Sequence, residues 1–308
     1  MTARTRAALA HILLIAVVFV WGVTFPLVKS ALHDISPLLF NLLRMSLAAL
    51  VLLLINFKEL RGLTRARSEL RLCVTAGFFL ALGYQFQTSG LAHTTPSKSA
   101  FLTGLVVVLV PILSLLPRVA PPTSPRPSTI VFLGAITAFI GLILLTSTPG
   151  TGAAILSGMH LGEWLTLACA VAFAAHLLTL AHAAPQLSAR RLGTLQIAFA
   201  ALFMLFTLPL GGHPHLHLTP IAIVALTITA LFATAAAFTI QSWAQQILPP
   251  THTALILTLE PVFAALTSLL FFHEHFGPRE ILGAALILCG ILLAELRGSH
   301  PVAPEAVA

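Results

Sequence analysis

The sequence predicts an all-α integral membrane fold of ten transmembrane helices, arranged as two inverted five-helix repeats. Three observations carry that prediction. Of the 308 residues, 58% are hydrophobic and only 8% are charged, against about 25% charged in a soluble domain. The apolar material falls into runs of about 18 residues or more, enough for a helix to cross a hydrocarbon core of about 30 Å; the runs lack the alternation of β-barrel strands. Finally, the two halves of the chain match each other at an offset near 150 residues.

The first run covers 9–28 and follows Arg4 and Arg6. A basic start before Leu9 to Val20 resembles a signal peptide. The run continues past Trp21 to Val28 without a small-residue cleavage site, so it reads as a retained first span. The following spans fall at 38–57, 72–91, 99–117, 129–147, 163–182, 191–210, 221–247, 252–272 and 280–296. The eighth is long enough to tilt or to project beyond the bilayer. The proline-rich stretch from Arg118 to Ser128 reads as a stiff connector. The first repeat then occupies 9–147 and the second 160–297, with no separate soluble domain. Cys73, Cys169 and Cys289 all lie in apolar runs and read as small core residues.

Charge placement gives orientation. With both termini in the cytoplasm, the inside segments carry twelve basic residues: Arg4, Arg6, Lys58, Arg61, Arg65, Arg67, Arg71, Arg118, Arg126, Arg190, Arg191 and Arg297. The outside carries three, Lys29, Lys98 and Arg279, and Arg44 lies within a span. That asymmetry follows the positive-inside rule. It also accounts for the net charge of +7 without nucleic acid.

The repeat rests on matched punctuation. Gly134 and Gly141 match Gly283 and Gly290; Pro111 matches Pro261; Gln87 and Pro96 match Gln241 and Pro250. Ser36 to Leu50 lies on Ser188 to Leu202 without a gap, with Arg44 opposite Gln196. Five spans is an odd number, so the second copy must enter the membrane upside down. Inverted repeats characterise many secondary transporters, whose substrate site lies near the midplane between them.

Particular residues also carry a family resemblance. Trp21-Gly22-Val23-Thr24-Phe25-Pro26, with Pro37 to Leu50 around Arg44, resembles the start of an EamA domain. Glu260-Pro261-Val262-Phe263-Ala264-Ala265, followed by Glu274 and by Gly283 to Gly290, resembles the end of one. Nearly the whole chain is similar to two tandem EamA domains of the drug/metabolite transporter superfamily. The resemblance implies ten helices around a central cavity in a bacterial-type inner-membrane carrier, often an exporter of amino acids or other small metabolites. Two departures are Val110-Pro111 where the second half has Glu260-Pro261, and His273 where the family often has Gly before the Glu.

Seven residues are candidates for substrate binding or coupling: Glu260, His176, Gln241, Gln87, Tyr84, Arg44 and Trp21. Arg44 lies roughly 9 Å inside span two. It fits either an anchor for a substrate carboxylate or a structural arginine that bonds helix-end carbonyls or snorkels outward. Glu260 lies roughly 12 Å from the cytoplasmic end of span nine. Pro261 beside it cannot donate to the Leu257 carbonyl, so the helix there is kinked or strained. A carboxyl at that depth is a candidate for proton coupling or for binding a substrate amine. His176 and Gln241 reach a similar depth and are expected to share one polar pocket with Glu260, unless each is satisfied separately between helices. Gln87 and Gln241 are repeat equivalents, with Tyr84 and Gln245 one turn away; their amides fit substrate contacts and interhelical bonds equally. Trp21 and Phe25 fit the cavity wall or an interfacial belt.

The glycine stripes read as close helix packing. His213, His215 and His217 alternate in a loop, and His273 and His275 flank Glu274, but loop histidines alone make no metal site, and none is assigned. No zincin, P-loop or serine-hydrolase motif occurs, so no enzyme activity and no cofactor is assigned. The sequence therefore points to a secondary transporter of the cell inner (plasma) membrane that exports a small metabolite such as an amino acid by alternating access. Its expected partners are that metabolite, protons, the lipid bilayer and a second copy of the chain. The alternative is a membrane-embedded enzyme acting on a lipid-linked substrate, which needs a polar catalytic cluster at an interface.

Overall fold

The computed structural model describes residues 3–60, 67–94, 96–117, 119–121, 126–146, 160–272 and 277–298. Among them the architecture is entirely helical, apart from one isolated antiparallel bridge between Ile35 and Leu216. In the first half, α1 covers Ala3–Ala31, α2 Pro37–Ile55, α3 Arg67–His93, α4 Pro96–Gly104, α5 Val106–Leu113 and α6 Thr129–Thr146. In the second, α7 covers Leu161–Ala183, α8 Ala189–Thr207, α9 Pro220–Ala230, α10 Ala237–Ala244, α11 Pro250–Leu257, α12 Glu260–Phe272 and α13 Pro278–Gly298.

Among the described residues, five helical stretches are long and apolar enough to cross a bilayer: Arg4–Ala31, Pro37–Ile55, Leu161–Ala183, Ala189–Gly211 and Pro220–Ala244. Leu102–Leu113, Thr129–Leu144 and Ile281–Leu293 are shorter apolar helices. Large apolar side chains such as Leu54, Ile136, Phe206 and Leu292 are exposed on the outside of the bundle. No interior packing holds them there, and a membrane supplies the apolar surroundings they require. Cys289 belongs to this exposed face of α13, whereas Cys73 and Cys169 are buried. The expectation of three core cysteines thus fails at Cys289, because span ten presents that side of its turn outward.

Proline sets the helix starts and breaks. Pro37, Pro96, Pro220, Pro250 and Pro278 each open a helix, where a missing N–H costs nothing. Expected span nine is two helices: α11 ends at Leu257, Thr258 and Leu259 form a turn, and α12 begins at Glu260. This is the break expected from Pro261. Expected span four divides likewise at Leu105, between α4 and α5.

The repeat match has a counterpart in the helix contacts. Ser36 and Ser188, matched in sequence, enter their helices with φ/ψ of −61°/143° and −63°/143°. A Cβ placed on Gly141 would lie 2.5 Å from the Gly283 carbonyl oxygen, and one on Gly290 would lie 2.5 Å from that of Gly134. These contacts run in opposite senses along the two helices. Helices α6 and α13 are therefore antiparallel, and their matched glycines meet crosswise. Absence of a side chain is what allows the backbones to approach so closely.

A central cavity

Helices from both halves of the chain converge on one central cavity. From α1 come Trp21, Thr24, Phe25 and Val28; from α3, Tyr84, Gln87, Thr88 and Leu91. Phe173, His176 and Leu177 of α7 and Phe238 and Gln241 of α10 complete much of the wall, with Arg44 of α2 and Glu260 at the start of α12. The space open to the centres of water-sized spheres is about 80 Å³. At about 10–15 Å³ of such space per water, that is room for roughly five to eight water-sized groups. A chamber of this size suits a small solute.

All seven residues singled out in the sequence line this cavity. Arg44 is only 4% exposed, so it does not snorkel. Its Nε and Nη2 donate to Thr234 Oγ1 at 3.2 and 2.9 Å. Its guanidinium lies 4.4 Å from the centre of the Tyr84 ring, a cation–π contact. Tyr84 is itself held by Asn41, whose Nδ2 donates to the Tyr84 carbonyl at 2.8 Å, and by edge contacts with Phe173 and Phe238. Trp21 Nε1 donates to the Ala233 carbonyl at 2.8 Å and its ring lies against Phe238, so it is a wall residue.

His176 makes a 2.8 Å bond through Nε2 to Gln196 Oε1. The neighbours fix which atom donates. The Ser242 hydroxyl donates to the Phe238 carbonyl and accepts from Gln196 Nε2, which turns Gln196 Oε1 toward His176. His176 Nε2 must then carry the proton, and a neutral ring keeps Nδ1 as an acceptor. Gln241 is buried, and its Oε1 has no hydrogen-bond partner. Gln87 Nε2 makes only a long 3.5 Å contact to Thr103 Oγ1. Glu260 is half-buried on the cavity wall, and no ion pair or side-chain hydrogen bond joins it to any described residue. Glu260, His176 and Gln241 therefore share the cavity without bonding one another.

Several cavity-bearing residues escaped the sequence reading. Phe173 and Phe238 looked like ordinary apolar residues of a span, and Thr234, Gln196 and Ser242 act only across helices. Gln196 had one available signal, its match to Arg44 in the repeat. The loop histidines lie apart from the cavity: His215 and His217 take part through their backbones in pairing with Asp34 and Ser36. Among the described residues no cluster of three His, Cys, Asp or Glu side chains is placed to hold a metal; His273, Glu274 and His275 fall outside them.

The family model described as "EamA-like transporter family" matches residues 8–147 and 160–296. The chain belongs to the EamA-like transporter family. An uncharacterized transporter of Archaeoglobus fulgidus is 33% identical over 285 residues, covering 91% of this chain and 84% of that protein. The uncharacterized transporter YoaV of Bacillus subtilis is 23% identical over 287 residues, covering 91% and 94%. A solved crystal structure superposes with a TM-score of 0.75 over 95% of this chain and 99% of its own, at 18% identity, which speaks to the fold alone. This EamA protein is thus a multi-pass membrane transporter with two tandem repeats.

Proposed function

We propose that this EamA transporter is a secondary carrier that moves a small zwitterionic metabolite, such as an amino acid, out across the cell inner membrane. The observation that carries the reading is a pair of opposite charges in one small cavity. Arg44 and Glu260 both line it, and neither has a charged partner among the described residues. A charge removed from water without a counter-charge is costly, and a ligand bearing the complementary charges relieves both costs at once. An amino acid presents a carboxylate for Arg44 and an ammonium for Glu260. The aromatic walls of Phe25, Phe173 and Phe238 suit an apolar portion between them.

In this reading the chain crosses the bilayer ten times with both termini in the cytoplasm, and the two repeats rock against each other around the cavity. Polar ties at both ends of the bundle support such rocking. At one end Thr219 Oγ1 donates to Asp34 Oδ2 at 2.6 Å. At the other, Glu59 pairs with Arg190 at 3.0 Å and Glu69 with Arg191 at 3.2 Å. Each joins the first half to the second, and the exposed Glu59–Arg190 pair is worth only about 0–1 kcal/mol, so it breaks at little cost. The substrate gradient or a proton supplies the energy, and Glu260 is the residue that takes up the coupling proton.

The test is flux in proteoliposomes with a panel of radiolabelled amino acids at several pH values. Glu260→Gln keeps size and hydrogen bonding and removes titration. Expected is a folded protein that has lost transport or its pH dependence. A normal rate with a normal pH profile in Glu260→Gln makes Glu260 structural and removes the coupling role.

A further inference from the structure

Span eight is not a continuous α-helix. Residues Leu231–Ala236 form a π-helical turn between α9 and α10, in which the Ala237 N–H donates to the Phe232 carbonyl five residues back. Such a turn adds one residue to the helix, skips one step of the hydrogen-bond ladder and is frequent at functional sites. Here it meets the cavity at two points. The Ala233 carbonyl accepts from Trp21 Nε1 at 2.8 Å. Thr234, fully buried, takes both Nε and Nη2 of Arg44 on its hydroxyl oxygen. Both donors are cavity-lining residues.

The consequence for Arg44 is geometric. A guanidinium has five N–H groups in one plane. Thr234 occupies one on Nε and one on Nη2 along one edge, and Tyr84 covers a face. What remains is Nη1 and the second N–H of Nη2, the fork that grips a carboxylate with two parallel bonds. We propose that Thr234, presented by the π-turn, is a positioning residue that orients Arg44 so that this fork selects a carboxylate-bearing substrate. The inference rests on the zwitterion reading above and adds a residue that need not touch the substrate. Trp21, bonded to the adjacent carbonyl, holds the π-turn in register from the α1 side. An uninterrupted α-helix would carry one residue fewer across this stretch and rotate Thr234 away from Arg44, by about 100° per residue at 3.6 residues per turn.

Ligand-induced thermal stabilisation of the detergent-purified full-length protein tests the proposal. The probes are the twenty L-amino acids and the decarboxylated amine of whichever binds best. Thr234→Val keeps shape and removes the hydroxyl; Thr234→Ser keeps the hydroxyl; Thr234→Ala replaces the valine variant should that one not yield folded protein. Expected is about a tenfold weaker dissociation constant for the amino acid in Thr234→Val, wild-type affinity in Thr234→Ser, and no change for the amine. Should the wild type not bind the amine, the difference between Val and Ser decides alone. Equal weakening for amino acid and amine, or no weakening at all, overturns the positioning role while leaving the zwitterion reading in place. A wild-type protein stabilised by none of the twenty overturns both.

Discussion

Replacing Gly290 by alanine is a demanding test of the packing, because one methyl group is the whole perturbation. A Cβ there lies 2.5 Å from the Gly134 carbonyl oxygen, 2.8 Å from the Ala138 nitrogen and 3.0 Å from the Ala138 Cβ. Two of those three atoms are helix backbone and cannot rotate aside. Restoring ordinary contact requires α13 to retreat from α6 by on the order of 1 Å. Overpacking of this kind costs about 1–3 kcal/mol, and a rigid partner puts it at the upper end. Alanine returns about 1 kcal/mol in helix propensity. The net loss is about 2 kcal/mol, a fall in melting temperature of about 3 °C for a chain of this size. Gly141→Ala is expected to behave alike, since its Cβ meets the Gly283 carbonyl at 2.5 Å. The double variant is expected to fall by less than the two single losses together, because one retreat of α13 relieves both contacts. The assay is thermal unfolding in detergent, followed by loss of monodisperse protein. A melting temperature that rises in either single variant, as propensity alone dictates, refutes the close α6–α13 contact. Leucine at either glycine is expected to prevent assembly.

Three further outcomes are expected. A topology reporter after Arg67 reads cytoplasm and one within 211–219 reads the outside; the same side for both removes the ten-span arrangement and the inversion together. Gly22→Ala places a Cβ 2.8 Å from the Glu260 carbonyl oxygen and 2.7 Å from the Phe263 Cβ; it shifts α12 and weakens transport several-fold, about 1 kcal/mol, and unchanged flux would argue against the α1–α12 contact. Gln241→Leu removes a buried oxygen that has no partner, a cost of about 1–3 kcal/mol, so unfolding temperature holds or rises while transport falls. A fall in both would make that amide structural.

Much of this fold is legible along the chain because the bilayer imposes it. Backbone groups in lipid must bond within their own segment, so long apolar runs become helices whatever surrounds them. Proline acts just as locally: Pro37, Pro96, Pro220, Pro250 and Pro278 open helices, and Pro261 marks the break before α12. The glycine spacing of the repeat announced which helices pack closely, since only a missing side chain permits backbone contact. Candidate polar residues were visible for a related reason: Arg44, Glu260, His176, Gln87 and Gln241 are costly in an apolar span and therefore conspicuous. What each of them does was decided by the tertiary structure. No pattern in Leu-Phe-Ala-Thr-Ala-Ala signals a π-turn, because the extra residue is held there by Trp21 and Arg44, more than 180 positions away in the chain. The tautomer of His176 depends on Ser242 through Gln196, a chain of bonds across α7, α8 and α10. Sequence dictates which groups are expensive to bury; only the assembled helices decide which of them find partners and which, like Glu260 and the oxygen of Gln241, are left on the cavity wall without a hydrogen-bond partner among the described residues.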